Sequence, residues 1–342
     1  MAVGAGRRKL QGHAHPSFFM PILQLTPSAA LTEAPDHADL PLERVVAELR
    51  EARQSWRERH RPHEARGREL PSADLLRDVI DGLRGALFPL RLGPPDLRPG
   101  AEDYYVGYTL DTALQCLQGQ VLLELRLAAR EAGAARDEVL LATRTNAVIR
   151  EFSRALPQVR RLLDEDVLAA YEGDPAARSV DEVLLCYPGI EAMIHHRLAH
   201  ALHGLGVPLL ARIIAEQAHA RTGIDIHPGA RIGPGLFIDH GTGVVIGETA
   251  VIGRRVRIYQ AVTLGARSFP TDEAGQLRKG QPRHPIVEDE VVIYAGATIL
   301  GRITLGRGAT IGGNVWVTQD VPPGGQVTQA SIRTANHSGN PQ

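Results

Sequence analysis

Apolar residues recur along this chain with two different periods. Between about residue 40 and residue 222 they return at three- and four-residue steps on a charged background, the stripe of an amphipathic helix. "LERVVAELREARQSWRERH" (42–60) is one such run. "SADLLRDVIDGLRGALFPL" (72–90) is a second, opened by Ser72 as an N-cap. "AEDYYVGYTLDTALQCLQGQVLLELRLAAREAG" (101–133) predicts one or two longer helices closing at Gly133, and further helical segments follow at about 136–155, 157–172, 179–204 and 207–221. Such a region must bury its stripes against neighbouring helices, within one chain or between chains.

After Gly223 the period becomes six. Ile226, Ile232 and Ile238 fall on the beat; after a two-residue slip it resumes with Ile246, Ile252, Ile258 and Leu264. A third run takes Val287, Ile293, Ile299, Leu305, Ile311 and Val317. Four residues after many beats stands a second small or apolar residue, as at Ala250, Val256, Val262, Ala297, Ile303, Ala309 and Val315, and glycine often follows the beat directly. Thirteen beats at one spacing predict a narrow parallel β-solenoid whose beat residues point inward and stack coil upon coil. Three hexads complete a triangular coil, so residues 18 apart should lie about 4.8 Å above one another, one strand spacing. Between Leu264 and Val287 the beat stops for "GARSFPTDEAGQLRKGQPRHPI", an excursion of the kind that tends to carry function.

Composition narrows the function classes. A formal charge of −1 over 342 residues gives no global field to recruit nucleic acid or an anionic membrane. Cys116 and Cys186 are the two cysteines, too few for a disulfide framework or a paired-cysteine metal knuckle, and they suit a reducing cytoplasm. No apolar run approaches the roughly 18 residues of a membrane helix. Arg7, Arg8 and Lys9 are followed by no apolar segment, so a secretory signal is not expected. The Pro-, Ala-, Gly- and His-rich stretch 1–39 is expected to be a disordered tail, or an unused upstream start ahead of Met20.

A solenoid has no packing need for a histidine at a corner. His240 is either a solvated turn residue or a general base, since imidazole takes a proton near neutral pH and a nearby carboxylate can orient it. Asp225, 15 residues earlier, is within feasible reach of that ring. Asp239 points away from His240 if the local backbone is extended, which would leave it free for a substrate amine. Arg283 and His284 stand where the excursion re-enters the solenoid; they are an ordinary polar loop end or a clamp for a carboxylate, which arginine can grip bidentately. His196, His200 and His203 share one helix face and resemble zinc-ligand spacing, but no HExxH or completing acid accompanies them, so a packed histidine face is expected. His227, His240 and His284 would suit a γ-class carbonic anhydrase, except that the class wants a histidine where Val245 stands.

Residues 174 to about 325 resemble the serine O-acetyltransferases, hexapeptide-repeat enzymes of cysteine biosynthesis. The resemblance is carried by "DPAARS", "HHRLAHALHGLGVPLLARIIAEQAHARTGIDIHPGARIG", "FIDHGTGVVIGETAVIG", "AVTLG", "RHPIVEDEVVIYAGATILG" and "VPPG". It implies a helical domain (40–222) followed by a left-handed parallel β-helix (223–325, excursion 265–286), with a flexible tail at 326–342. It implies acetyl transfer from acetyl-CoA to the L-serine hydroxyl, with His240 as general base and Asp225 as its orienting partner. Asp174 and Asp239 would bind the serine amine, and Arg283 and His284 its carboxylate. Gly265, Ala295 and Gly296 would meet the coenzyme's pantetheine arm. Glu248 matches a family acid without an assigned role, and His227 likewise matches the family without a chemical role. No metal is implied. The family pattern further implies trimers through the solenoids and hexamers through the helical domains, sites between subunits, a cytoplasmic location and inhibition by cysteine.

Two departures qualify the resemblance. The excursion is longer than the family's short Gly-rich connection, with Ala266 for a second glycine. Family members that bind O-acetylserine sulfhydrylase insert a tail ending in isoleucine, whereas this sequence closes on Gln342; a stable complex is not expected. The rivals are a related enzyme acting on a sugar or homoserine hydroxyl, and a non-catalytic scaffold. The charged set Asp174, Asp239 and Arg283 favours a zwitterionic amino acid over a sugar, and the presence of His240 and Asp225 argues against a silent scaffold.

Overall fold

The computed structural model describes residues 41–60, 70–134, 137–268, 271, 275–278 and 280–329. The tail expected at 1–39 and the end of the tail expected at 326–342 lie outside the described residues. Two compact units divide the chain, residues 1–66 and 67–342. Helix α1 (Leu42–His60) is the described part of the first, and an i,i+4 pair between Arg44 and Glu48 supports it at 2.8 Å.

The second unit begins with α2 (Ala73–Leu87), where the Ser72 hydroxyl accepts from the Leu75 N–H, then a single turn, α3 (Pro89–Leu92), and α4 (Glu102–Glu131). Helix α5 (Glu138–Gly173) runs unbroken through Pro157, where the sequence pattern predicted two segments. Leu141, Val148, Phe152 and Leu156 are buried before the proline and Val159, Leu163, Val167 and Ala170 after it. Burial worth roughly 1.5–3 kcal/mol per large side chain outweighs the proline's cost of about 3 kcal/mol. The segment expected at 179–204 is instead split into α6 (Val180–Cys186) and α7 (Pro188–Gly204). Tyr187, held extended ahead of Pro188 at φ −83° and ψ 120°, cannot continue a helix there. Helix α8 (Pro208–Thr222) follows; its first-turn N–H groups, at Leu209 and Leu210, are capped from another helix by the Glu124 carboxylate, both at 2.8 Å.

Among the described residues the solenoid has fourteen short strands in three parallel sheets. The first sheet stacks β1 (Asp225–Ile226), β4 (Val245–Ile246), β7 (Thr263–Gly265), β10 (Thr298–Leu300) and β13 (Trp316–Val317). The second stacks β2 (Arg231–Ile232), β5 (Val251–Ile252), β8 (Ile286–Val287) and β11 (Thr304–Leu305). The third stacks β3 (Phe237–Ile238), β6 (Arg257–Ile258), β9 (Val292–Ile293), β12 (Thr310–Ile311) and β14 (Gln326–Val327). Every beat residue is buried, and beats pair with beats, as Ile246 with Leu264 and Ile258 with Ile293. The usual step is 18 residues, Val245 to Thr263. It is 20 from Asp225 to Val245, where the sequence slips by two, and 35 from Val251 to Ile286, across the excursion. The boundary expected at 325 falls one strand short, because Gln326 and Val327 pair with Thr310 and Ile311.

The change of period at 222 marks a change of secondary structure and not of packing. Helices α5, α7 and α8 pack on the first coil, and one continuous core cluster includes Phe152, Leu198 and Ile214 together with Ile226 and Ile238. A buried ion pair ties the two halves. Arg197 donates through Nε and Nη2 to Asp166 at 3.1 and 3.0 Å, and to the carbonyls of Ile232 and Gly233 at 2.5 and 2.7 Å. The Asp166 carboxylate in turn accepts from the N–H groups of Gly235 and Leu236, both at 3.0 Å.

Candidate active site

The residues singled out from sequence gather at two corners of the triangular coil. The corner leading from the third sheet into the first carries Asp239 and His240, with Ala295 and Gly296 further down the stack. His240 is the centre of a three-residue turn, at φ 59°, closed by the Gly241 N–H donating to the Asp239 carbonyl at 2.6 Å. Positive φ is uncommon outside glycine, and turns of this kind are rare and strained; strain of this sort collects at functional sites. The backbone at 239–241 is therefore not extended, and Asp239 does not point away from its neighbour. Its carboxylate lies 3.7 Å from His240 Nδ1, and the ring is 70% exposed while the carboxylate is 17% exposed. Asp225, half-buried at the start of β1, instead shares a group with Glu216 and His219, whose ligand atoms lie within 4.8 Å of one another.

Asp174 caps the C-terminus of α5 on the same side. Its Oδ1 accepts from the Ala176 N–H at 2.8 Å and its Oδ2 from the Tyr187 hydroxyl at 2.5 Å. The Tyr187 bond, then the Ala176 bond, hold the Asp174 carboxyl below the usual carboxylate range, with the His240 and Arg257 charges adding to the effect. The same bond pushes the Tyr187 phenol up to about 12. Tyr187 escaped the sequence reading; the available signal was a tyrosine immediately before the proline that starts α7. The stacked rings of Tyr259 and Tyr294, 5.2 Å apart and 9° from parallel, were also missed. Each follows a beat residue directly, in the column below Asp239.

The corner from the first sheet into the second carries His227, Glu248, Gly265, Arg283 and His284. Thr249 organises it. Its Oγ1 accepts from the N–H groups of Arg283 and His284, at 2.9 and 3.1 Å. Its own N–H donates to His284 Nδ1 at 3.1 Å, and its hydroxyl approaches the same nitrogen at 2.9 Å. Nδ1 is thus an acceptor and the ring's proton sits on Nε2. Burial, followed by the Arg283 charge, pushes the His284 imidazole down to about 4, so the ring is a neutral donor at physiological pH. Arg283 pairs with Glu248 at 2.7 Å. Burial alone would raise the Glu248 carboxyl, but the hydrogen bond and charge of Arg283 outweigh it and hold the group below its ordinary value. His227 plays a structural part, because its Nδ1 accepts from the Gly229 N–H at 3.0 Å and fixes the turn after β1.

The three helix histidines do not converge. His200 Nδ1 donates to the Pro228 carbonyl at 2.8 Å, His196 is fully buried beside it, and His203 sets its edge against His227. Within one chain His240 is likewise on a different corner from His227 and His284. No helix among the described residues is long and apolar enough to cross a membrane.

Fold and site together define an acyltransferase of the hexapeptide-repeat class. No family model matches the chain, but individual proteins do. A plasmid-encoded serine acetyltransferase of Synechococcus elongatus is 58% identical over 268 residues, 78% of this chain and 84% of that protein. A serine acetyltransferase of Bacillus licheniformis is 49% identical over 162 residues, 47% of this chain and 71% of that protein. Among solved structures, serine acetyltransferase 1 of Entamoeba histolytica, in complex with L-cysteine, superposes with a TM-score of 0.64 at 36% identity, covering 73% of this chain and 86% of that one. The chain belongs to the serine acetyltransferase family. Its reaction is transfer of an acetyl group to serine, with acetyl-CoA as the co-substrate that the family uses.

Proposed function

We propose that His240 is the general base of this transfer and that each complete site forms between two copies of the chain. The observation that carries the second half is the division of the groups between corners. The proposed base and amine ligands (His240, Asp239, Asp174) occupy one corner and the proposed carboxylate ligands (Arg283, His284) the next. Each corner also holds part of the proposed pantetheine contact, Ala295 and Gly296 on the first and Gly265 on the second. Abutting the first corner of one solenoid against the second corner of its neighbour unites both sets, and a closed ring of three repeats the contact around an axis. Pairing of such trimers into a hexamer completes the assembly we propose, in the cytoplasm.

In the reaction the serine hydroxyl loses its proton to His240 as its oxygen adds to the thioester carbonyl. Backbone N–H groups of the coil are suited to meet the oxyanion that forms. Collapse breaks the carbon–sulfur bond, expels CoA thiolate and returns the proton from His240 to sulfur. Asp225, whose carboxylate lies near Glu216 and His219, retains the role of orienting carboxylate in this proposal. L-cysteine, an isostere of serine, would occupy the same pocket as an inhibitor.

The test is release of CoA from acetyl-CoA on addition of L-serine, homoserine or a galactoside. Serine-dependent release should fall by about 10²–10⁴ in His240→Asn; undiminished turnover in that variant sinks the assignment. Co-expressed His240→Asn and Arg283→Ala chains should regain activity that neither has alone, because some interfaces then pair two intact corners. Failure of mixed oligomers to recover would refute the shared site.

A further inference from the structure

The hexad pattern has no need of the excursion between β7 and β8, and its described residues are not idle. Thr271 and Leu277 form an antiparallel bridge, and Arg267 lies across Gly301. At φ 94°, Gly301 leaves room for that approach; a Cβ there would sit 3.3 Å from the Cβ of Arg267. Between loop and solenoid lies a cavity of about 550 Å³ lined by Arg267, Arg278, Arg283 and Arg302, with Leu277 and Pro282 on its wall.

Among the described residues the charges of this cavity do not balance. Glu248 is the one carboxylate among the described residues of its wall, and it is already paired with Arg283 at 2.7 Å. Arg302 donates to the carbonyls of Thr249 and His284, at 2.7 and 3.0 Å, which fix its guanidinium without neutralising it. Neither Arg267 nor Arg278 has a carboxylate partner among the described residues. Guanidinium groups gathered in a concave site repel one another and focus a positive field inward. Their planar forks match the oxygens of a phosphate. We propose that this cavity binds a phosphate group, with Arg267, Arg278 and Arg302 as its ligands. Three cations without a carboxylate partner among the described residues suit a dianion better than the single charge of an amino-acid carboxylate, for which Arg283 is proposed above. The phosphate has two chemical sources: those of acetyl-CoA itself, or a free phosphate ion. The first source rests on the acetyl-transfer reading above.

Two measurements separate the outcomes. The first compares KM for acetyl-CoA with KM for 3′-dephospho-acetyl-CoA, in the full-length protein and in the Arg267→Ala/Arg278→Ala double variant. Neither arginine is held by a hydrogen bond to another described residue, and the variant's KM for serine should stay within about 2-fold. If the coenzyme is the source, the unaltered protein should prefer acetyl-CoA by about 10- to 100-fold, the worth of one or two charge-assisted hydrogen bonds, and the double variant should lose the preference. The second titrates inorganic phosphate calorimetrically. Binding that vanishes in the double variant, without any preference between the two coenzymes, identifies free phosphate as the occupant. A coenzyme preference that survives the double substitution overturns the proposal, as does the absence of both effects. Failure of serine-dependent acetyl transfer would count against the functional reading alone, because the phosphate titration needs no turnover.

Discussion

Gly247 provides a sharp test of the corner that holds His284. A Cβ at this position would lie 2.1 Å from both Cδ2 and Nε2 of His284 and 2.7 Å from its Cγ. These distances are far inside a normal contact of about 3.5–4 Å, so Gly247→Ala evicts the imidazole instead of nudging it. The ring would surrender the Thr249 N–H bond and the Thr249 hydroxyl contact, each worth about 0.5–1.5 kcal/mol. Overpacking adds about 1–3 kcal/mol. The sum, about 2–6 kcal/mol, lies below or at the low end of a typical domain's stability of about 5–15 kcal/mol, so the variant should remain folded while melting earlier. Loss of a positioned donor should lower kcat/KM for serine by about 10²-fold, the equivalent of about 2.7 kcal/mol. The damage should appear mainly in serine KM, since His284 is proposed to bind the carboxylate. Circular dichroism melts and thiol release at varied serine concentrations measure both quantities. A folded variant with unchanged kcat/KM for serine would show that this ring takes no part in substrate binding.

Tyr187→Phe should raise serine KM by about 10-fold, one charge-assisted hydrogen bond, with little change in kcat. Since the Tyr187 bond is the main cause of the lowered Asp174 carboxyl, the acid limb of kcat/KM should move to higher pH; an unmoved limb with raised KM would argue for a purely steric role. His284, ordinarily near 6.5 and pushed to about 4 in the fold, takes its proton in the unfolded chain first, so stability should fall as pH drops from about 6.5 towards 4. The loss is about 2 kcal/mol between pH 7 and 5, read as the difference in urea midpoints between the unaltered protein and His284→Asn. Equal pH slopes in the two proteins would contradict it. Arg197→Met strands the buried Asp166 carboxylate and should cost about 3–5 kcal/mol in chemical denaturation, and a loss below about 1 kcal/mol would mean that the helices and solenoid are not joined there.

The solenoid was legible because one constraint, an apolar side chain every sixth residue, is written thirteen times. Even the slip before Ile246 and the gap before Val287 could be read directly and reappear as strand steps of 20 and 35. The helices were less so. A proline inside α5 and a Tyr-Pro junction before α7 look alike in sequence, and apolar side chains are buried on both sides of each, so the pattern does not say which of the two breaks its helix. For the site, residue types were readable but neighbours were not. Counting hexads assigns Arg283 and His284 to a corner, yet nothing in the spacing says that Thr249 holds them or that His240 adopts positive φ. Tyr187 reaches Asp174 across 13 residues, through two helix ends, a proximity that local periodicity does not encode. Arg267 and Arg278 went unremarked because their significance lies in lacking carboxylate partners among the described residues, a property of the folded chain alone.

The step of 20 residues at the first coil has a consequence beyond register. A stack of identical coils is close to a one-dimensional crystal, and in a faultless crystal every corner is equivalent, so none can be singled out for chemistry. The two extra residues are a dislocation. The turn at His240 and Gly241, at φ 59° and 82°, absorbs the mismatch, and His240 stands on the fault line. Regularity supplies the rigidity, and the fault supplies the address. A chain trimmed by two residues there would lose that fault, and the corner that carries the base would become one repeat among the others.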